Sequence, residues 1–288
     1  MAEMSIAVVD LDDKTRVRRR FSPMVVVCTG FLGIVLLMVL FGQWLAPQDP
    51  YAQDIVGSMA GPSSEHWLGT DALGRDVFSR IVVGTRSAVV GPLCIAVAAM
   101  VLGNILGLLA GYRGGIVDSL MMRWVDLMVA IPSLLIIIVV AGALGGGYWL
   151  AVGLLIVLSL PFDARVIRAV VLEQTPRPYV EAAKALGVSD RRIMLQHIWP
   201  NVASTAMTNA VLMFSSSLIA LAGLSFLGLG AAPGTADWGQ MLAESQALLF
   251  TNPIAAIAPG VAIVLTATSV NLLGDVVYEK MSSRGVNR

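Results

Sequence analysis

The sequence predicts an all-α integral membrane protein with six transmembrane helices. Three observations carry that expectation. Hydrophobic residues make up 57% of the 288 positions and charged residues only 13%, whereas a soluble globular chain carries about 25% charged residues. Six apolar runs approach the ~20 residues that a helix needs to cross a bilayer. The basic residues also fall unevenly between the two sides that such a topology defines.

The first apolar run, 24–45, follows a 1–23 tail with a basic cluster, Arg16, Arg18, Arg19 and Arg20. It is too long for a signal-peptide core and ends without a small-x-small cleavage site, so it reads as a span that stays in place. Residues 46–86 are rich in Pro, Gly, Asp and Ser and read as a long external segment. The second span, 87–112, carries Gly103, Gly107 and Gly111 on every fourth residue, a spacing that lets helices approach closely, within the subunit or on a partner. The third, 120–144, is interrupted by Pro132. A minimal Gly145-Gly146-Gly147 turn leads to the fourth, 148–171, with Pro161, Asp163 and Arg165 near its end. The fifth, 202–229, follows a polar loop at 172–200. An external loop, 230–253, precedes the sixth, 254–277, which contains Pro259-Gly260, and a short tail occupies 280–288.

Placing the N-terminus in the cytoplasm puts sixteen of the nineteen Lys and Arg residues inside and leaves only Arg75, Arg80 and Arg86 outside. That is a strong positive-inside bias, and six spans return the C-terminus to the cytoplasm. Several function classes drop out. A formal net charge of zero gives no electrostatic case for nucleic acid. Cys28 and Cys94 lie in apolar runs and no metal-ligand spacing occurs. There is no Gly-x-x-x-x-Gly-Lys-Ser/Thr loop, so the chain is not expected to hydrolyse ATP, and with no nucleophile elbow or zinc-site spacing it is not expected to bind a cofactor or act as an enzyme.

The polar loop is the most informative segment. Pro176 and Pro178 break the incoming helix. Residues 179–186 are Ala-rich helix formers, Gly187 suits the left-handed residue past a helix end, and Ser189 or Asp190 caps a second helix through Arg191-Arg192. Pro200 falls near the start of the fifth span, where a missing N–H costs little. The result is a helix, a bend and a helix across the end of the bundle. Ala182, Ala183 and Ala185 give a surface that another protein can approach closely, and Glu181 is placed to pair with a basic group. The competing reading is an amphipathic loop lying on lipid headgroups.

Charges inside spans are functional suspects. Arg123 and Asp126 are three apart and share a helix face, so an ion pair is expected between them. Asp163 and Arg165 do not share a face, so Asp163 is expected to pair elsewhere. Polar candidates for a solute path are Asn209 and Ser216 in the fifth span and Asn271 in the sixth, with Ser215, Ser217, Thr266, Thr268 and Ser269 beside them. About half of these are expected to bond to helix backbone instead. Arg75, Asp76 and Arg80 suggest an external amphipathic helix, either a receiving surface or a plug over the bundle.

The spacing of the loop carries a resemblance. Glu181-Ala182-Ala183, three residues, Gly187, and nine residues later a four-residue block ending in Pro200 resembles the signature of ABC-importer permeases. His197-Ile198-Trp199-Pro200-Asn201 resembles its peptide/nickel branch. So do 66–80 (His-Trp-Leu-Gly-Thr-Asp-Ala-Leu-Gly-Arg-Asp-Val-Phe-Ser-Arg), Met122-Arg123-Trp124-Val125-Asp126, Leu224-Ser225-Phe226-Leu227-Gly228 and Trp238-Gly239-Gln240-Met241-Leu242. These match the second permease subunit of peptide importers from about 62 to about 275. The tail after Gly274-Asp275 lacks the usual basic-Asp-Pro ending.

The resemblance implies a type I ABC-importer permease fold with a core at 87–279, in a bacterial inner membrane. It implies a coupling role for Glu181, Ala182, Ala183, Gly187, Ile198 and Pro200. The partners it implies are a homologous permease, two ATPase subunits that hold ATP and Mg, an external solute-binding protein and membrane lipid. Its commonest cargo is a di- or oligopeptide; nickel is disfavoured because the spans contain no histidine. The alternative is a stand-alone secondary transporter or channel, which has no need of a protein-docking helix.

Overall fold

The computed structural model describes residues 23–285, with side chains to Glu279. The predicted tail at 1–23, its basic cluster included, lies outside the described residues save for Pro23, as do the side chains of the 280–288 tail. Among the described residues the architecture is all-helical, with one isolated bridge between Thr70 and Asp76. Five helices have the length and apolarity to cross a membrane: α1 (Pro23–Leu45), α2 (Val77–Arg113), α5 (Tyr148–Gln174), the run Asp190–Phe226 and Pro253–Glu279. A broken pair, α3 (Gly115–Ala130) and α4 (Ser133–Leu144), bent by 81°, meets the same criteria when taken together and is the candidate for a sixth crossing. The break falls at Ile131-Pro132, because a residue before proline is driven to extended backbone; Ile131 has φ −107° and ψ 129°.

α2 begins ten residues earlier than the sequence predicts. Its first turns carry Arg80 and Arg86, which argue against a membrane segment by composition. Asp76 caps the helix by accepting from the Ser79 amide at 2.7 Å. Arg80, 1% exposed, is buried as part of an ion cluster. Arg75 bonds to Asp71 and Glu244, each at 2.6 Å, and Arg80 to Glu244 at 3.0 Å. The two guanidiniums also donate to the Gly234 carbonyl, at 3.3 and 3.2 Å. This cluster fastens 70–80 onto the segment around α9 (Trp238–Glu244). The arginines are therefore interior to a plug, and the expected amphipathic surface helix is replaced by a clamp. Burial raises the Glu244 carboxyl, but the Gly234 amide, Arg80, Arg75 and Gln240 outweigh it and hold the group below its ordinary value.

The glycines of α2 pack within the subunit, against α5. A Cβ on Gly103, Gly107 or Gly111 would lie 2.5, 2.7 or 2.8 Å from the Cβ of Asp163, Ile167 or Val171. Such distances are far inside contact, so only hydrogen fits. The pairing expected within α3 is corrected: Asp126 accepts from Arg165 of α5 at 2.6 Å, not from Arg123. Asp118 likewise binds Arg168. Two inter-helix bridges thus tie the broken span to α5. They form because the bend swings α3 onto the face of α5 that carries both arginines.

Candidate functional site

α5 ends at Gln174, and Pro178 opens α6 (Pro178–Ala185) at its first position, where its missing N–H costs nothing. Glu181 lies in the first turn and Lys184 in the last, each complementing the helix dipole. The helix stops at Gly187, which has φ +72°. The Val188 amide reaches the Ala183 carbonyl at 3.1 Å and the Gly187 amide reaches Lys184 at 3.0 Å. This is the double hydrogen bond of a Schellman turn. The chain then reverses into α7 (Asp190–Arg192), which continues through a π-helical turn, Ile193–Ile198, into α8 (Trp199–Phe226).

The π turn has a local cause. Pro200 has no N–H to give to the preceding turn, and its ring crowds the carbonyl four residues back. Widening the turn lets the Trp199 amide reach the Met194 carbonyl instead. Pro200 therefore sits inside one continuous helical run, Asp190–Phe226, rather than at a fresh start.

The loop has its own core. Val180, Ala183, Ile193 and Ile198 are buried together with Leu108 of α2, Ile167 and Val171 of α5, and Val202 and Ala206 of α8. Trp199 packs on the edge of this cluster. Polar struts surround it. The Tyr112 hydroxyl donates to Asp190 at 2.7 Å, and the Lys184 ammonium lies 5.1 Å from the centroid of the Tyr112 ring. Tyr179 donates to Gln174 at 3.0 Å and accepts from Asn201 at 3.3 Å. Burial pushes the Tyr179 phenol up from its ordinary value, against the Asn201 bond and Arg177, so it stays a donor at neutral pH. Asn201 also holds the His197 carbonyl at 2.8 Å.

The six residues singled out in this loop fall into two sets. Glu181, Ala182, Gly187 and Pro200 are exposed. Ala183 and Ile198 are buried, 5% and 0% exposed, and hold the loop's core. The exposed set is joined by a residue the sequence reading passed over, Leu186, which is 84% exposed at the tip of α6. A leucine at the end of an Ala-rich helix is the only local signal for it. The Tyr112–Asp190 strut spans 78 residues and has none.

The path candidates lie elsewhere, in the body of the bundle. The Asn209 amide donates to Asp163 Oδ1 across to α5. Asn271 accepts from Ser215 at 2.8 Å. Ser216 is exposed and bonds to the Met213 carbonyl of its own helix at 3.1 Å, as Thr266 does to Ala262 at 2.8 Å. Asn209 and Asn271 are thus engaged between helices.

Known proteins match this arrangement. The profile of the family described as "binding-protein-dependent transport system inner membrane component" matches residues 103–284, the loop included. The chain belongs to that family. A second profile, the N-terminal transmembrane domain of oligopeptide transport permease C, matches 15–62 and so takes in α1. Among curated permeases, a probable D,D-dipeptide transport system permease of Escherichia coli K12 is 37% identical over 254 residues, 88% of this chain and 85% of that one. A glutathione transport system permease of Pectobacterium atrosepticum is 38% identical over 260 residues, 90% and 86% of the two chains. Among solved structures, an inward-facing form of the MetNI methionine ABC transporter superposes with a TM-score of 0.59 at 18% identity. It covers 71% of this chain and 97% of its own. The binding-protein-dependent permease thus has the type I ABC-importer permease fold and is a multi-pass protein of the bacterial inner membrane.

Proposed function

We propose that this permease forms one half of the membrane path of an ATP-driven importer of di- or oligopeptides. The other half is a homologous permease, and the chain itself is not catalytic. ATP and Mg are held by two ATPase subunits at the cytoplasmic face, and an external binding protein delivers the solute. Both curated relatives named above are transporters of small peptides, a D,D-dipeptide and glutathione. That supports a peptide cargo.

One observation carries the coupling role. The 178–198 hairpin exposes Glu181, Ala182, Leu186 and Gly187 on one side and on the other shares its core with α2, α5 and α8. A hairpin with no internal anchor would absorb a push. One whose core is continuous with three spanning helices passes it on. ATP-driven closure of the ATPase pair thus moves α6, and α6 moves the bundle between outward and inward access. The excess of basic residues on one side supports a cytoplasmic location for both termini and this loop.

The test is a cross-link. L186C in the assembled complex should couple to an ATPase subunit, and the yield should change between nucleotide-free and ATP-bound states. A complex that takes up peptide with ATP while L186C couples to no ATPase would refute the docking assignment. A chain that purifies alone and transports without ATPases would refute the importer reading itself.

A further inference from the structure

Among the described residues, Asp163 is the only acidic side chain buried inside a spanning helix, 3% exposed in α5. The other buried acids each have several donors or a cation. Asp71 has Arg75 and Arg80. Asp76 has His66 and the Ser79 amide. Asp237 has the Gly239 and Gln240 amides and Ser87. Asp163 has one neutral amide, that of Asn209, on Oδ1, and Oδ2 is buried without a partner.

No charge faces it. On α2 the residue opposite is Gly103, and α2 has no charged residue between Arg86 and Arg113. Its titratable groups there are Cys94, which is exposed, and Tyr112, which is bound to Asp190. α8 contains no titratable residue and neither does α4. On α5 itself, Arg165 and Arg168 are taken by Asp126 and Asp118 of α3, and the remaining cation of α3, Arg123, is exposed. An ionised carboxylate away from water costs several kcal/mol unless paired and fully hydrogen-bonded. One amide on one oxygen does not meet that condition.

A second orphan lies on α2. Asn104, the next residue after Gly103, has a buried Oδ1 with no partner, while its amide serves the Met100 carbonyl. Two acceptor oxygens on facing helices both lack a hydrogen. A single proton on Asp163 Oδ2 turns that oxygen from an unmatched acceptor into a donor.

We propose that Asp163 is a proton-binding site, occupied in this conformation, so that α5 and α8 are joined by a neutral acid–amide pair. Loss of that proton to water leaves a bare charge at the joint and loosens it, so the α5–α8 contact weakens as pH rises.

Infrared spectroscopy of the intact complex in membranes, with carboxyl-labelled aspartate, tests this without any knowledge of the cargo. Near neutral pH the wild type should show a protonated-carboxyl C=O stretch that shifts with the label and with deuterium, and D163N should lack it. Absence of the stretch from the wild type, or its survival in D163N, overturns the proposal. Should D163N fail to accumulate, the wild-type titration decides. The stretch must persist near neutral pH and then fall about tenfold per pH unit past its midpoint; a labelled stretch confined to acid pH overturns the site. The band is read from the chain itself, so its outcome is independent of whether ATPases or peptide uptake are found.

Discussion

The turn at Gly187 offers the sharpest test of coupling, because its energetics separate from its contacts. Its φ of +72° is a left-handed conformation, and a Cβ there would meet nothing within 4 Å. G187A therefore costs backbone strain and no steric clash, about 1–2 kcal/mol. That shifts the ratio of closed to opened hairpin by about 5- to 30-fold. G187N enters the same space but tolerates the left-handed region, so it should recover most of the loss. G187P is the severe case. It fixes φ near −65° and deletes the amide that reaches Lys184. The assay is uptake per ATP hydrolysed by the complex in vesicles, with tryptic cleavage at Arg191 and Arg192 reporting hairpin opening. The expected order is wild type, G187N, G187A, G187P, falling in uptake per ATP and rising in cleavage. Equal values for Ala and Asn would show that φ is not what matters. Wild-type coupling in G187P would show that the turn plays no part in it.

Two further perturbations probe the scaffold. E244Q leaves Arg75 and Arg80 buried with one acid fewer and should destabilise the plug by on the order of 3 kcal/mol, read as faster proteolysis within 230–252. The folded Glu244 value lies below its ordinary 4.5, so its contribution is complete above that value and disappears as pH falls through the folded one; the wild-type plug should loosen at acid pH, and E244Q should show a flatter profile. G107A places a Cβ 2.7 Å from Ile167 Cβ, 0.7 Å short of the 3.4 Å where ordinary contact begins, and should cost about 1–3 kcal/mol. I167A removes the Ile167 Cγ2 that the new Cβ would meet at 2.8 Å, though not the Ile167 Cβ or the Ala164 carbonyl, so it should relieve part of that in a double mutant, while G33A, with nothing within 4 Å, should be neutral or slightly stabilising; strict additivity of G107A and I167A in thermal melts would refute the close-packed ridge.

What the sequence revealed divides by range. Apolar runs report the spans because the bilayer imposes one length on all of them. The Gly187 turn was legible because left-handed backbone leaves a residue-type signature at one position. The Gly103, Gly107 and Gly111 ridge was legible as a spacing, but its partner was not, since nothing local says whether α5 or another subunit fills the groove. The clamp was misread because each arginine is charged and Arg75 reaches an acid 169 residues away. The start of α2 was misplaced for the same reason: a buried arginine looks exposed to any scan of composition. Ala183 was assigned to a docking face because alanine is silent about burial, and only the neighbouring Val180 and Ile193 show that its side is inward. The Arg123–Asp126 expectation used a sound local rule and failed because Arg165, on another helix, had better geometry.

These features combine into a mechanical argument. The Arg113 end of α2 is fixed to the 178–198 hairpin by Tyr112 and Asp190. Its Val77 end is fixed to the segment around α9 by Arg80 and Glu244. Between them, Gly103, Gly107 and Gly111 seat it on α5 so closely that the two helices cannot slide without collision. A displacement of the loop is therefore expected to travel along α2 and α5 as one body, and α2 has a soft place within it. Pro92 removes an amide from the α2 ladder. One residue earlier, the Tyr148 hydroxyl donates to the Ser87 carbonyl and accepts from the Gly91 amide, two groups that ordinarily serve each other. Gly91 is required there because a Cβ would fall 2.3 Å from that hydroxyl. A side chain inserted in the ladder beside a proline is a recognised cause of helix bending. Motion driven from the loop is thus expected to turn about Ser87–Pro92, with the clamped plug as the part that stays behind.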